Sequence, residues 1–147
     1  MPAADTAPQR LSIIVFAGAY DRVHYALTMA AAALAVNTPA TLFFTMGALR
    51  ALVAGTAGDD GWRSLRHTED GLAPADADAK LIARGLAGFE EMLSSCVTLG
   101  AKVMVCEMGL RASGIEAAQL RQDVPMSPGG LVTFLADASK DGAMVFV

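Results

Sequence analysis

Residues 101–115 read AKVMVCEMGLRASGI, and this stretch decides the fold. Residues 102–106 have the short, β-branched apolar character of a strand that is buried on both faces. The run ends at Glu107, with Gly109 soon after, so the thiol of Cys106 stands at the end of a strand. In an open α/β sheet, the carboxyl ends of the strands border the ligand crevice, and the amides that open the next helix favour negative charge there. Cys106 is therefore a candidate reactive thiol.

Outward from this strand, short apolar runs alternate with helical segments along the chain. The apolar runs predict strands at residues 11–17, 40–45, 102–106 and 143–147, with a short strand or an extended linker at 123–126. The helical periodicity predicts helices at residues 22–36, 48–53, 80–99, 115–122 and 129–140. Strands separated by helices of this length imply parallel pairing with right-handed crossovers. The predicted fold class is therefore α/β, a three-layer α/β/α sandwich around a mainly parallel sheet of about five strands.

The domain organisation follows from the length of the chain and from one change in its amino-acid composition. A chain of 147 residues fits one domain with a substantial core. We expect residues 1–10 to be a disordered leader and residues 11–147 to form the single domain. Residues 54–79 are rich in Gly, Asp, Thr, Ser and Pro, and they contain Trp62 and His67. They predict a long loop, which is either a functional lid or a flexible insertion.

Composition limits the compartment and the partners. Hydrophobic residues make up 54% of the chain and charged residues 18%, which argues against disorder. The net charge of −4 provides no basic field, so we expect neither nucleic acid nor an anionic membrane as a partner. The longest apolar stretch, residues 23–36, is shorter than the ~20 residues of a transmembrane helix. Two cysteines without a CxxC pair make no disulfide framework, which favours a reducing cytoplasm.

Cofactor and metal motifs give no positive signal. The glycine-rich stretches lack the GxxxxGK pattern that cradles phosphates, and neither Ser94 nor Ser95 has a nucleophile-elbow setting. Two isolated histidines without a carboxylate cluster predict no metal site.

Two interpretations of Cys106 stay open at the level of the residues. Cysteine is among the residues most often found in cores, so an inert packed thiol is the simpler one. The alternative is a thiolate that attacks a sulfane sulfur and carries it as a persulfide. Glu107 works against a thiolate if its side chain turns inward. Cys96 lies on the apolar face of its predicted helix, and we interpret it as a core residue.

Other candidate site residues follow the first and second strands. Residues 18–21 form the first crevice loop, in which Asp21 is predicted to cap the next helix. His24 is predicted either to be satisfied by a backbone carbonyl or to serve as a general acid or thiolate partner. A flavodoxin-like strand order would place residues 18–21 beside Cys106. Met46 and Met108, both at strand ends, are expected to line a pocket for a polarisable sulfur or an apolar ligand.

Three segments of the chain resemble the DsrE/DsrF-like family of sulfur-relay proteins, in the branch often labelled peroxiredoxin family. They are LSIIVFAGAYD at residues 11–21, TLFFTMGAL at 41–49 and LGAKVMVCEMGLRASGI at 99–115. The resemblance implies a flavodoxin-like (DsrEFH-like) sandwich, a homo-oligomer, and a strand-end cysteine that accepts sulfur as a persulfide, which maps onto Cys106. Relatives in this branch tend to carry a serine-bearing stretch after the cysteine, where this chain has Glu107, Met108 and Gly109. They also tend to carry an aromatic pair before the second-strand glycine, where this chain has Thr45 and Met46 before Gly47.

The expected function is a cytoplasmic sulfur carrier or sulfurtransferase without a cofactor. Its partners would be sulfur donor and acceptor proteins or small sulfane-sulfur compounds, and whether it is a true enzyme stays open. Cys106 would be the catalytic residue. The expected pocket residues are Gly18, Ala19, Asp21, His24, Thr45, Met46, Gly47 and Met108. The alternatives are a non-catalytic module that binds a nucleotide, flavin or acyl ligand, and a subunit whose only role is in an oligomeric assembly.

Overall fold

A parallel sheet lies at the centre of the fold. The structure is a computed structural model that describes residues 7–55 and 61–147, and within those residues the sheet has five strands in the order β4-β3-β2-β1-β5. All neighbouring strands pair in parallel. The strands are β1 Leu11–Val15, β2 Ala40–Phe44, β3 Lys102–Cys106, β4 Ser127–Gly129 and β5 Ala143–Phe146.

Helices cover both faces of this sheet. They are α1 Tyr20–Ala35, α2 Pro74–Ala83, α3 Phe89–Thr98, α4 Glu107–Ser113 and α5 Leu131–Asp137. The side chains that α1 and α3 bury belong to one core cluster, whereas Phe134 of α5 belongs to another. The α/β class, the three layers and the flavodoxin-like parallel sheet are therefore confirmed. No helix of the described residues is long and apolar enough to cross a membrane.

The period of two along the strands assigns side chains to the two cores. On β3, Val103 and Val105 pack into the large core beneath α1 and α3. Met104 and Cys106 point the opposite way, into a small core with Phe43 of β2 and Phe134 of α5. The candidate thiol therefore lies on the α5 face of the sheet.

The sheet shares its parallel, three-layer architecture with flavodoxin but not the strand order 2-1-3-4-5, and its own order separates two loops that the flavodoxin order would have brought together. β2 pairs with both β1 and β3, so the end of β2 lies between residues 18–21 and Cys106. The expected proximity of these two loops is therefore wrong. The sequence does not encode strand order locally, because it depends on which strands pair after the helices have crossed the sheet.

The helix predicted over residues 80–99 is two helices. α2 ends at Ala83, and the chain turns through Gly85, whose φ of +77° suits a residue without Cβ. α3 begins at Phe89, whose amide donates a hydrogen bond to Asp78 of α2. The apolar spacing continues through the break, which is why periodicity alone predicted one helix. Leu86 is consequently exposed rather than part of a helical core face.

Residues 54–79 are partly folded, and the prediction of a long loop there needs correction. The described part contains a 3₁₀ helix, Gly61–Ser64, and the first turns of α2, which begins at Pro74. Trp62 is buried and stacks on Phe89 with ring centroids 5.3 Å apart. An aromatic residue anchored in the core therefore holds this segment. Residues 56–60 of the predicted loop lie outside the described residues.

The expected leader is tied to the domain at its last residues. The amide of Gln9 donates a hydrogen bond to the carbonyl of Asp141, and Arg10 Nη1 donates to Thr41 Oγ1 at 3.1 Å. Residues 1–6 lie outside the described residues.

Several predicted boundaries shift. Residues 48–53 belong to a 3₁₀ helix, Met46–Leu52, and residues 115–122 contain a short 3₁₀ helix, Ala117–Gln119. The short strand lies at Ser127–Gly129, later than the predicted residues 123–126. The last helix is Leu131–Asp137, within the predicted residues 129–140, and the last strand is Ala143–Phe146.

Candidate functional site

Cys106 joins the end of β3 to the start of α4. It is the N-terminal cap of α4, and its Sγ accepts a hydrogen bond from the Gly109 amide at 3.4 Å. The strand turns directly into the helix, so the sulfur faces the helix start without an intervening loop. An amide donor at a helix start stabilises negative charge on an acceptor atom. The prediction of a strand-end thiol is therefore confirmed in its placement.

The thiol is enclosed in this structure. Cys106 is 1% exposed, and it belongs to the small core with Phe43, Met104 and Phe134. The ring of Phe134 stacks on Phe43 with centroids 4.7 Å apart. Phe134 is the buried residue of α5, so this one short helix covers the Cys106 sulfur.

A network of charged and polar groups fastens the far end of α5 to the sheet. Asp137 accepts a hydrogen bond from Thr41 Oγ1 at 2.7 Å and one from Lys102 Nζ at 2.6 Å, and Arg10 lies 3.9 Å away. Burial raises the pKa of Asp137, but the bonds from Lys102 and Thr41 outweigh it, so the pKa lies below its usual value. This network has no signature in the sequence, since its members come from four separate segments.

The turn at Cys106 is flanked by Thr45, Met46 and Gly47. A Cβ added to Gly109 would lie 2.8 Å from Thr45 Oγ1 and 2.9 Å from the Met46 amide, so α4 packs directly on the end of β2. Met46 has a φ of +48°, a left-handed conformation that costs a residue with a side chain about 1 kcal/mol. Ser113 of α4 donates a hydrogen bond to the Met46 carbonyl. This strained turn thus faces the thiol-bearing helix.

Gly18 and Ala19 lie one strand further from the thiol. A Cβ on Gly18 would lie 2.7 Å from the Gly47 carbonyl oxygen, so the ends of β1 and β2 touch through two glycines. Ala19 pairs with Arg66 in an isolated parallel bridge. These residues build the carboxyl edge of the sheet, but β2 stands between them and Cys106.

Asp21 and His24 lie at a site separate from Cys106. α1 begins at Tyr20 with Ala19 as its cap, so the prediction that Asp21 caps the helix is wrong. The Asp21 carboxylate instead accepts hydrogen bonds from the amides of Arg22 and Glu69. His24 Nε2 lies 3.0 Å from the Ala87 carbonyl oxygen, which agrees with the prediction that a backbone carbonyl is the hydrogen-bond partner of this histidine. Both residues line a cleft between α1 and α2, on the face opposite the Cys106 side chain.

Met108 is a surface residue. It is exposed on the first turn of α4, and it borders an open depression with Glu107, Arg111 and Ala112. Glu107 is exposed as well, so its carboxylate does not turn inward onto the thiol.

Cys96 is a core residue, as predicted. It is fully buried on α3, and its thiol donates a hydrogen bond to the Leu27 carbonyl at 3.1 Å. Burial raises the pKa of Cys96 to about 11. Both cysteines are free thiols.

The cluster around Tyr20 was not anticipated from the sequence. The Tyr20 hydroxyl donates a hydrogen bond of 2.6 Å to Asp78 Oδ1, which also accepts the Phe89 amide. Burial, together with this bond, raises the pKa of Tyr20 well above its usual value. Asp78 thereby links the first turns of α1 and α3 to α2. No local motif marks such a hub.

The fold and this edge-of-sheet site define an α/β protein with a flavodoxin-like parallel sheet, and two solved structures share that fold. One is a protein of unknown function, MTH1491 from Methanobacterium thermoautotrophicum, with 14% identity, a TM-score of 0.52, and coverage of 94% of this chain and 98% of that one. The other is the ychN protein from E. coli, with 15% identity, a TM-score of 0.54, and coverage of 94% and 97%. At these identities the similarity establishes the fold alone. No protein-family model matches the chain, and no curated protein matches it significantly.

Proposed function

We propose that this protein is a sulfur carrier that holds sulfane sulfur as a persulfide on Cys106 and passes it to a partner. The observation that carries the proposal is the position of Cys106 as the cap of α4, with the Gly109 amide donating to its sulfur. Sulfane sulfur is transferred by attack of a thiolate on a sulfur–sulfur bond, so a free thiol at this position can accept it. The resemblance of residues 99–115 to the DsrE/DsrF-like family supports the same role.

The transfer is balanced without an oxidant or a cofactor. The Cys106 thiolate attacks the terminal sulfur of a donor persulfide, R–S–SH. A sulfur–sulfur bond forms to Cys106, the bond between the two donor sulfurs breaks, and R–S⁻ leaves with a proton from the medium. An acceptor thiolate then takes the same sulfur and returns Cys106 to a thiolate. Whether the chain only carries sulfur or also accelerates its transfer is the difference between a carrier and a sulfurtransferase.

Access to the sulfur requires α5 to move. With Cys106 1% exposed, a donor cannot reach the thiol while Phe134 packs on Phe43. α5 buries a single large side chain and is fastened at its end by Asp137. We infer that docking of a donor or acceptor protein displaces this helix, which confines the reactive sulfur to the transfer complex.

We further propose that the protein is a homo-oligomer formed through the α5 side of the sheet. Parallel sheets are normally covered on both faces. Six large apolar side chains on this side are 42–83% exposed, namely Phe16, Leu131, Val132, Leu135, Met144 and Phe146. At about 200 Å² for each fully exposed side chain, they present about 600 Å² per copy, and two copies would bury about 1,200 Å², enough for a specific interface. A second copy fits this surface because none of the six carries a charge that needs a complementary partner.

A reducing compartment suits the proposed chemistry. The Cys106 sulfur must be a free thiol between transfers, and both cysteines are unpaired. We therefore propose a cytoplasmic location.

The test is mass spectrometry of the intact protein after exposure to a persulfide donor, thiosulfate and tetrathionate in turn. We expect wild type and Cys96→Ser to gain the mass of one sulfur atom from the persulfide donor, and Cys106→Ser to gain none. Unfolding the protein in urea before the donor is added gives a matched control for burial, because both thiols then become accessible. If Cys106 gains no sulfur from any donor in the folded protein, even from a persulfide-loaded donor protein, the sulfur-carrier proposal fails.

A further inference from the structure

We propose that the cleft between α1 and α2 is a binding site for a small aromatic carboxylate. This site is independent of the sulfur-carrier proposal, because it lies on the α1–α3 side of the sheet whereas the Cys106 sulfur lies on the α5 side.

The cleft has a defined shape and two helical walls. Its volume is about 330 Å³. One wall is the start of α1, with Tyr20, His24 and Tyr25. The other is one face of α2, with Ala77 and Lys80, continued by Arg84 at the end of the helix. The turn around Thr68 and the connection at Leu86 close the ends. The positions on α2 follow each other at three- and four-residue intervals, so a continuous stripe of that helix faces the ligand space.

The floor of the cleft is apolar and aromatic. Leu72, Leu81 and the buried ring of Tyr20 line it, and the exposed ring of Tyr25 stands at the edge of the cleft. Tyr20 is held rigidly, since it is buried and its hydroxyl is bonded to Asp78. Aromatic rings favour other flat apolar groups in offset or edge contact, so the floor suits a planar ring.

Two cations and two carboxylates lie at the rim. Lys80 of α2 and Arg84, which directly follows the end of α2, both border the cleft, as do Asp21 and Asp70. Within residues 7–55 and 61–147, the Arg84 guanidinium forms no hydrogen bond or ion pair, and Lys80 has only a 4.0 Å contact with Asp70. The two carboxylates at the rim are already engaged, because Asp70 accepts from Thr68 Oγ1 and Asp21 accepts from two amides. Arg84 is therefore the group best placed to receive a carboxylate.

His24 adds a directional acceptor. A carbonyl oxygen only accepts hydrogen bonds, so the contact with Ala87 requires that Nε2 of His24 carry the proton. In neutral His24, Nδ1 is then an acceptor, and it has no partner among the described residues. A hydroxyl on the ligand can donate to it. The ligand that uses every group of the cleft is thus a ring with a carboxylate and a hydroxyl.

The volume limits the size of the ligand. A cleft of about 330 Å³ corresponds to about eleven water molecules, at roughly 30 Å³ each. A single-ring acid of about ten non-hydrogen atoms fits this space. The chemical class is therefore a monocyclic aromatic carboxylate.

The experiment is a titration with three matched probes, followed by isothermal calorimetry and by NMR of the backbone amides. The probes are 4-hydroxybenzoate, benzoate, which lacks the hydroxyl, and 4-hydroxybenzamide, which lacks the charge. We expect saturable binding of 4-hydroxybenzoate, with shifts confined to residues around Tyr25 and Leu81. Benzoate should bind several-fold more weakly and the benzamide at least tenfold more weakly.

Four variants separate the contributions. Arg84→Gln should weaken 4-hydroxybenzoate about tenfold and leave the benzamide unchanged, whereas Tyr25→Ala should weaken all three probes. Lys140→Gln, an exposed lysine outside the cleft, is the charge control and should change nothing. Cys106→Ser should bind like wild type, so failure of the sulfur-carrier proposal leaves this result untouched. Absence of saturable binding, equal binding of acid and amide, or no effect of Arg84→Gln would each overturn the proposal.

Discussion

Because α5 covers the Cys106 sulfur, the reactivity of Cys106 should depend quantitatively on how often this helix opens. In a Cys96→Ala background that also carries Phe146→Asp to break the proposed interface over α5, Cys106 is the only thiol, and its alkylation by iodoacetamide requires α5 to open. Opening exposes Phe134, which costs about 2–3 kcal/mol. It also releases Asp137 from Thr41 and the half-exposed Lys102, which costs about 1–2 kcal/mol. The sum of about 3–5 kcal/mol predicts alkylation about 10²- to 10⁴-fold slower than that of glutathione.

The variants test each part of this estimate. Phe134→Ala should accelerate alkylation by about 30- to 100-fold, since most of the apolar cost of opening disappears. Asp137→Asn should accelerate it by about tenfold, because the ion pair with Lys102 is lost while the shape is kept. Val132→Ala removes a side chain of the same helix that is 83% exposed, and it should leave the rate unchanged.

The assay is the rate of mass gain of the intact protein under native conditions. Rates must be proportional to iodoacetamide concentration, which shows that opening is fast and that the rate reports the opening equilibrium. Urea unfolding of each variant shows whether the protein remains folded during the reaction. Alkylation of the wild-type thiol as fast as glutathione, or an unchanged rate in Phe134→Ala, would refute the idea that α5 controls access.

Three further predictions concern stability and assembly. The free energy of unfolding should fall as pH rises above about 9, by at most about 1.4 kcal/mol per pH unit for each group, because Cys96 and Tyr20 ionise in the unfolded chain but stay protonated in the fold. In urea titrations at a series of pH values, Cys96→Ala should remove the part of this fall in stability that occurs between pH 9 and 11. Tyr20→Phe should remove the part that occurs above pH 10. If the stability of all three proteins falls with pH in parallel, the assignment to these two groups is contradicted. Gly109→Ala should lower the free energy of unfolding in urea by about 1–3 kcal/mol, because the added Cβ would lie 2.9 Å from the Met46 amide. The control is Gly130→Ala, whose Cβ would meet no atom within 4 Å. Equal urea midpoints for the two variants would argue against tight packing of α4. Phe146→Asp should convert the oligomer to monomers in sedimentation velocity, and a monomeric wild type would exclude the proposed interface.

The fold class was predictable because its signals are local. Short, largely apolar runs at β1, β2 and β3, separated by helical periodicity, indicate parallel strands wherever they occur in a chain. The position of Cys106 at a strand end follows from the same pattern, since the apolar run stops at Glu107. The break at Gly85 escaped prediction because the apolar spacing runs through it.

What surrounds the thiol was decided by tertiary structure. The sequence by itself determined an α/β chain with a cysteine at the end of a buried strand. Only the strand order placed β2 between Cys106 and residues 18–21, and only the crossover of α5 put Phe134 over the sulfur. The separation of His24 from the thiol has the same origin, because α1 crosses one face of the sheet while the last residue of β3 points to the other. Strand pairing and helix crossovers join segments far apart in the chain, so no local pattern of residues specifies them.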